Sequence, residues 1–361
     1  MISRPTADAA RVLAMGAVLA IHATQNAGGV LVADHDWASS AGAATLLNQV
    51  CRFCVPLFIL LSGFALAARE RGVARKAGLA EPRVSAWGFW GDRLAKIALP
   101  FVVWTLIYRL CDAPWAAGAG TALGWVARNL PLDLLSGGAQ YHLYFIAIIV
   151  QCYVLFPWLL RLRSPWWTVG FAALALLYTA PAHSLLAACG LTRPELPSWA
   201  FPAWLVWFQV GVRAGLAVEA AEAGSGRRLL TLVAVLLTAA GLCAEWWWQS
   251  YRMADPGWFG HFHRWTVLLY VAACWVALVA WNAPIRRWLE PAPRTAVLAW
   301  LTGVSFLVYL GHPLVLRLVE RLGIADPFLA LAALCAGTLA IVAVLQRILR
   351  PVPALGRAIG L

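Results

Sequence analysis

The amino-acid sequence predicts an all-α polytopic membrane protein of about ten transmembrane helices with both termini cytoplasmic. Three observations lead there. Of 361 residues, 62% are apolar and 12% charged, whereas a soluble globular chain carries about 25% charged residues. The apolar residues gather in runs of about 20, the length that crosses the hydrocarbon core of a bilayer. Lys and Arg outnumber the acids 28 to 16, and they alternate from loop to loop as cytoplasmic and external segments do.

The runs lie at about 9–29, 46–68, 94–113, 141–160, 165–182, 199–217, 228–246, 264–283, 297–319 and 327–349. The fifth is the shortest and is followed by Pro181 and His183. Trp87, Trp90, Trp158, Trp166, Trp167, Trp199 and Trp288 stand at their edges, where amphipathic rings settle at a membrane interface. The first run is N-terminal and Ala-rich, like a signal peptide, but its length and the spacing of Arg11 and His22 favour a retained span. Residues 1–361 read as one integral-membrane domain with a cytoplasmic loop at 69–92 and an external loop at 114–140. Within the second loop, Gly124 to Leu130 suits a short interfacial helix.

Sorting the cations by side sets the orientation. With the N-terminus inside, that side holds Arg4, Arg11, seven residues from Arg69 to Lys96, and Arg161, Arg163, Arg213, Arg227, Arg228, Arg286, Arg287, Arg294, Arg347, Arg350 and Arg357, a total of 20. The other side keeps 8: Arg52, Arg109, Arg128, Arg193, Arg252, Arg264, Arg317 and Arg321. That asymmetry accounts for the net charge of +12 without a nucleic-acid partner.

Ionisable residues inside a bilayer are costly, so each is a functional candidate. The first span holds Asp8, Arg11 and His22. At about 100° per residue, Arg11 and His22 share a face and stand about 16 Å apart along the axis. Asp8, three residues before Arg11, is spaced for a same-face ion pair. His142 opens the fourth span and His312 lies in the outer half of the ninth. All three histidines fall towards the external end, although a single such histidine is ordinarily a satisfied structural one.

In the second span Pro56 removes a backbone donor and should kink the helix, while Ser62 and Gly63 permit close helix approach. Arg52 is either a snorkelling residue or one that faces a polar cavity. Cys51 and Cys54 have redox or metal spacing, but no second cysteine pair accompanies them, so packing is expected and no metal. Ahead of the third span, Arg93 and Lys96 share a helical face at the membrane. They suit anionic lipid headgroups or a phosphorylated ligand, and the positive-inside bias alone also places cations there.

These residues resemble the acyltransferase-3 family of membrane O-acyltransferases. Asp8, Arg11, Ala14 and His22 are similar to its opening pattern, and Val55-Pro56-Leu57-Phe58 with Leu61-Ser62-Gly63-Phe64 to its second block. Arg93 to Pro100 resembles the third block, His142-Leu143-Tyr144-Phe145 the fourth, and Ser305 through Tyr309-Leu310-Gly311-His312-Pro313 the last. Two departures stand out: Lys96 where the family often has Arg, and Tyr144 where Trp is common. The resemblance is to stand-alone members, in which no esterase-like domain is expected after the last span.

The resemblance implies transfer of an acyl group, usually acetyl from acetyl-CoA, to a hydroxyl of an envelope carbohydrate or related acceptor at the bacterial cytoplasmic (inner) membrane. It implies His22 as the catalytic residue, Arg11 as its supporting partner and Arg93 with Lys96 as a donor-binding pair; taken with the physical reading, His22 is expected to act as general base, with Arg52, His142 or His312 at the acceptor or the oxyanion. A secondary transporter is the alternative expectation, since it too holds ionisable residues at mid-depth.

Overall fold

The computed structural model describes residues 2–82, 84–179, 185, 186, 188–191, 197, 199–217, 222–253 and 261–361, except the side chains of 94, 95, 252 and 253. Among these residues the chain is helical, with no β-strand. The helices are α1 (Arg4–Ala23), α2 (Ala27–Asp34), α3 (Ser40–Val50), α4 (Cys54–Lys76), α5 (Ala86–Asp112), α6 (Ala119–Ser136), α7 (Tyr144–Leu159), α8 (Pro165–Leu177), α9 (Leu205–Leu216), α10 (Ser225–Met253), α11 (Trp265–Ala280), α12 (Asn282–Leu289), α13 (Ala292–Arg321), α14 (Pro327–Leu349) and α15 (Pro353–Ile359).

Local chemistry explains where the helices begin. The Ser3 hydroxyl accepts from the Thr6 amide at 3.3 Å at the start of α1, and Ser39 does the same for Gly42 at 3.3 Å at the start of α3, each satisfying an N–H that has no intrahelical partner. Before α14 the Asp326 carboxylate accepts from Phe328 and Leu329 at 3.0 and 2.9 Å, with Pro327 in the first helical position, where its missing N–H costs nothing.

Among the described residues five runs are long and apolar enough to cross a membrane: Arg4–Ala23, Ser40–Lys76, Ser225–Tyr251, Ala292–Arg321 and Pro327–Leu349. They become seven when each of two bent pairs, α5 about its middle and α11 with α12, is one span. Three shorter apolar helices, α7, α8 and α9, have 16, 13 and 12 residues. On α10 the residues Leu229, Leu230, Leu236 and Leu237 are 62–70% exposed, an outward apolar stripe that suits lipid and not water. The chain is a multi-pass membrane protein on these features.

Several expectations change in detail. The second run is two helices joined by a 3₁₀ turn at Cys51–Phe53. Pro56 stands in the first turn of α4, where its missing N–H is tolerated, and Ser40–Lys76 runs as one candidate span with no sharp bend at the proline. The segment read as an external loop at 114–140 carries α6, an 18-residue helix tied to α5 by a bidentate Arg109–Asp133 ion pair. The loop at 69–92 is shortened by α4, which continues to Lys76. The fifth run ends as α8 at Leu177, and Pro181, His183 and Arg193 lie outside the described residues.

The chain forms two compact units. The first comprises Met1–Leu61, Thr179–Pro181 and Ala217–Val344, and the second Ser62–Tyr178, Ala182–Leu216 and Leu345–Leu361. In the first, α1 packs along α13, and α10 pairs with α11. In the second, the Trp104 indole donates to the Ile359 carbonyl at 3.0 Å, holding α15 against α5. Also in the second, Gly63 of α4 meets the backbone of Phe208 on α9, and Gly215 meets that of Phe64. A methyl group at either would overlap main-chain atoms.

This geometry predicts opposite signs for one substitution at two sites. Gly63→Ala should destabilise by about 1–3 kcal/mol through overpacking. Gly72→Ala, with nothing near its added Cβ, should stabilise α4 by up to about 1 kcal/mol. Thermal unfolding in detergent should show Tm falling for the first and holding or rising for the second.

Candidate functional site

The site is built at the C-terminal end of α1. This helix stops at Ala23, where the Thr24 amide and hydroxyl both donate to the Ala20 carbonyl, at 3.1 and 2.6 Å. His22 therefore occupies the last turn, half-buried. Packing of α1 on α13 stacks its ring on His312, with centroids 5.2 Å apart and planes inclined by 26°.

His312 is fully buried, and its orientation follows from the next residue. Pro313 has no N–H, so it cannot pair with the carbonyl of Tyr309 four residues earlier. His312 Nδ1 donates to that carbonyl at 2.7 Å instead. A carbonyl can only accept, so the proton of the neutral ring sits on Nδ1 and Nε2 is left as the acceptor nitrogen.

A second helix reaches the same place through Asn48, buried on α3. Its Nδ2 donates to the Ile21 carbonyl at 2.9 Å and to Thr24 Oγ1 at 3.1 Å. Its Oδ1 accepts from Arg52 Nη2 at 2.6 Å, with a longer contact from Gln49 Nε2 at 3.4 Å. Both donors and both lone pairs of the amide are thus engaged, and one of them caps a helix-end carbonyl adjacent to His22. Arg52 also lies over the Phe262 ring at 5.3 Å, and it is within electrostatic reach of His22. The chain of bonds continues from Gln49 Oε1 to Arg264 Nη1 at 2.8 Å, and from Arg264 to Glu245 at 2.9 Å and the Leu242 carbonyl at 2.6 Å. Thr266 donates to the same Glu245 carboxylate.

Beside His22 a cavity of about 270 Å³ opens, lined by the polar residues Gln25, Asn26, Ser40 and Glu320 and by apolar ones that include Val30, Leu316, Val319 and Ile324. At the opposite end of α1, Asp8 pairs with Arg11 at 2.7 Å and with Arg4 at 3.7 Å. The expected ion pair forms in the N-terminal half of α1, Arg11 lying about three helical turns from His22. The Ser3 amide donates to Asn282 Oδ1 at 2.7 Å, and the Trp281 indole to the Arg228 carbonyl at 3.3 Å, so Arg4, Arg11, Arg228, Arg286 and Arg287 gather at that end.

His22, His312 and Arg52 are therefore brought together, and Asp8 with Arg11 forms a separate pair. His142, Arg93 and Lys96 belong to the second unit. There His142 is buried in the turn before α7, edge-on to Tyr108 at 5.6 Å and near Tyr141 at 5.7 Å. Arg93 is half-buried on α5, with Nε lacking a hydrogen-bond partner among the described residues, and Lys96 is exposed. Gly63 lies against the Phe208 backbone, Pro56 and Ser62 stand on α4, and Cys51 and Cys54 are buried free thiols. Sequence reasoning did not single out Asn48, Gln49, Glu245 and Arg264. Glu245 was findable, as an acid inside an apolar run.

Asn48→Ala should cost about 1–3 kcal/mol of stability by leaving the Ile21 carbonyl without its Asn48 donor and removing one acceptor from Arg52. Asn48→Asp, which keeps the Arg52 contact but loses both donors, should cost less; detergent unfolding curves check the order. Across the chain, the acyltransferase-3 family model, described as an acyltransferase domain, matches residues 5–347. No curated protein and no solved structure matches. The residue blocks from Asp8 to Pro313 all fall inside the matched region, and the chain belongs to the acyltransferase-3 family of membrane acyltransferases.

Proposed function

We propose that this acyltransferase moves an acetyl group from acetyl-CoA to a hydroxyl of an envelope carbohydrate or related acceptor, with His22 as general base. The observation that carries the proposal is His22 itself: an imidazole in the wall of a cavity of mixed polar and apolar lining, stacked on a buried histidine, within an acyltransferase domain.

In the proposed reaction an unprotonated ring nitrogen of His22 takes the proton of the acceptor hydroxyl as its oxygen attacks the thioester carbonyl carbon. The new C–O bond forms, the carbonyl oxygen becomes an oxyanion, and the Arg52 guanidinium stabilises it. Collapse breaks the C–S bond. The departing thiolate takes the proton from His22 and leaves as the CoA thiol, returning the base to its starting state. His312 holds the plane of the His22 ring through the stack, and Arg11, paired with Asp8, supports α1 at its other end. Arg93 and Lys96 meet the phosphates of the donor, Lys96 as a point charge without the fork that Arg offers.

The membrane arrangement we propose has ten spans, counting the long helices, the bent pairs and the three shorter apolar helices together. Both termini lie in the cytoplasm of a bacterial inner membrane. The cations gathered at the start of α1 support this orientation, which puts His22 and its cavity towards the external face.

The test is CoA-thiol release from acetyl-CoA by membranes carrying matched amounts of protein. His22→Ala should lower turnover by at least about 10²-fold, the scale of general-base catalysis; wild-type turnover in that variant would contradict the assignment. Arg93→Ala and Lys96→Ala should each raise KM for acetyl-CoA several-fold while kcat changes little, as expected when only binding is lost.

A further inference from the structure

Resting on His22 as the base, we propose that the cavity beside it is the acceptor subsite, and that it takes an uncharged or cationic polyhydroxylated ring in preference to an acidic one. Its volume of about 270 Å³ lies at the lower end of small-molecule pockets, about 300–1,000 Å³. That is the scale that suits one small polar ring.

The walls have two characters. Gln25, Asn26 and Ser40 offer both donors and acceptors, which is what a ring bearing several hydroxyls requires. Leu316 and Val319 supply an apolar surface for the C–H face of such a ring. Glu320 is the one carboxylate among the described lining residues, and it makes no ion pair among the described residues. Glu320 is exposed, so its carboxylate stands at the water-filled mouth, where it disfavours a uronate or a phosphorylated sugar by the modest amount one screened charge supplies and accepts hydrogen bonds from hydroxyl or ammonium groups.

The test uses the full-length chain in intact cells and two membrane-impermeant thiol reagents of opposite charge, trimethylammonium-ethyl and sulfonato-ethyl methanethiosulfonate. Ser40→Cys and, separately, Ala325→Cys place a thiol in the wall, and labelling is measured above the background of the native cysteines, of which Cys111 and Cys189 are exposed. Both thiols should react from outside, and the cation-to-anion rate ratio should fall roughly threefold to tenfold when Glu320→Gln is added, the scale of one nearby charge. Labelling should also cut incorporation of radiolabelled acetate into the envelope at least about tenfold against the same variant unlabelled. An unchanged ratio overturns the charge selectivity. No reaction from outside, or labelling that leaves acetate incorporation intact at both positions, overturns the subsite. The rate ratio is read without catalysis, so these failures are distinct from the failure of His22 as base, which shows as activity retained in His22→Ala.

Discussion

The hydrogen bonds of Asn48 are the constraint on which the site depends. One buried amide on α3 engages the last turn of α1, through the Ile21 carbonyl and Thr24, and the Arg52 guanidinium. At a helix end in an apolar setting, an unpaired carbonyl or guanidinium costs about 1–3 kcal/mol or more. Each of these groups therefore holds the others where they are. Through Gln49 the same chain reaches Arg264 and Glu245, so a buried charge pair anchors an arrangement whose working end is an imidazole.

Proline supplies the second constraint. In a helix it normally costs a hydrogen bond, yet Pro313 frees the carbonyl that His312 Nδ1 uses. The bond withheld from the backbone thereby sets the tautomer and direction of a buried ring. At Pro56 the same deficit falls in the first turn of α4, beside a 3₁₀ turn that carries Arg52, and this turn aims the arginine towards Asn48. Both prolines act close to residues with chemistry to do, and both were visible as isolated letters in apolar runs.

The class of fold was legible because composition and run length are bulk properties that no tertiary detail can reverse. His22, Arg52 and His312 were legible for a related reason: an ionisable residue inside an apolar run is expensive, so its presence needs an account. Asn48 and Gln49 carried no such mark, since a neutral amide near a helix end is common. Arg264 was seen only as one more external cation, because its pairing with Glu245 arises when α10 and α11 fold back on each other. The helix at Ala119–Ser136 was underread, as its two glycines and Pro131 weaken the local signal while the Arg109–Asp133 pair and packing hold it. Tertiary contacts outweighed propensity there.

The central claim is that His22 performs acyl transfer to an envelope acceptor, and comparative mass spectrometry of envelope glycans addresses it most directly. Cells expressing the wild-type chain, cells lacking it and cells expressing His22→Gln at equal membrane levels are compared after feeding isotopically labelled acetate. The account predicts labelled acetyl groups on a discrete glycan or glycolipid in the first alone. Labelled acceptor persisting in the His22→Gln cells at the wild-type level would contradict it.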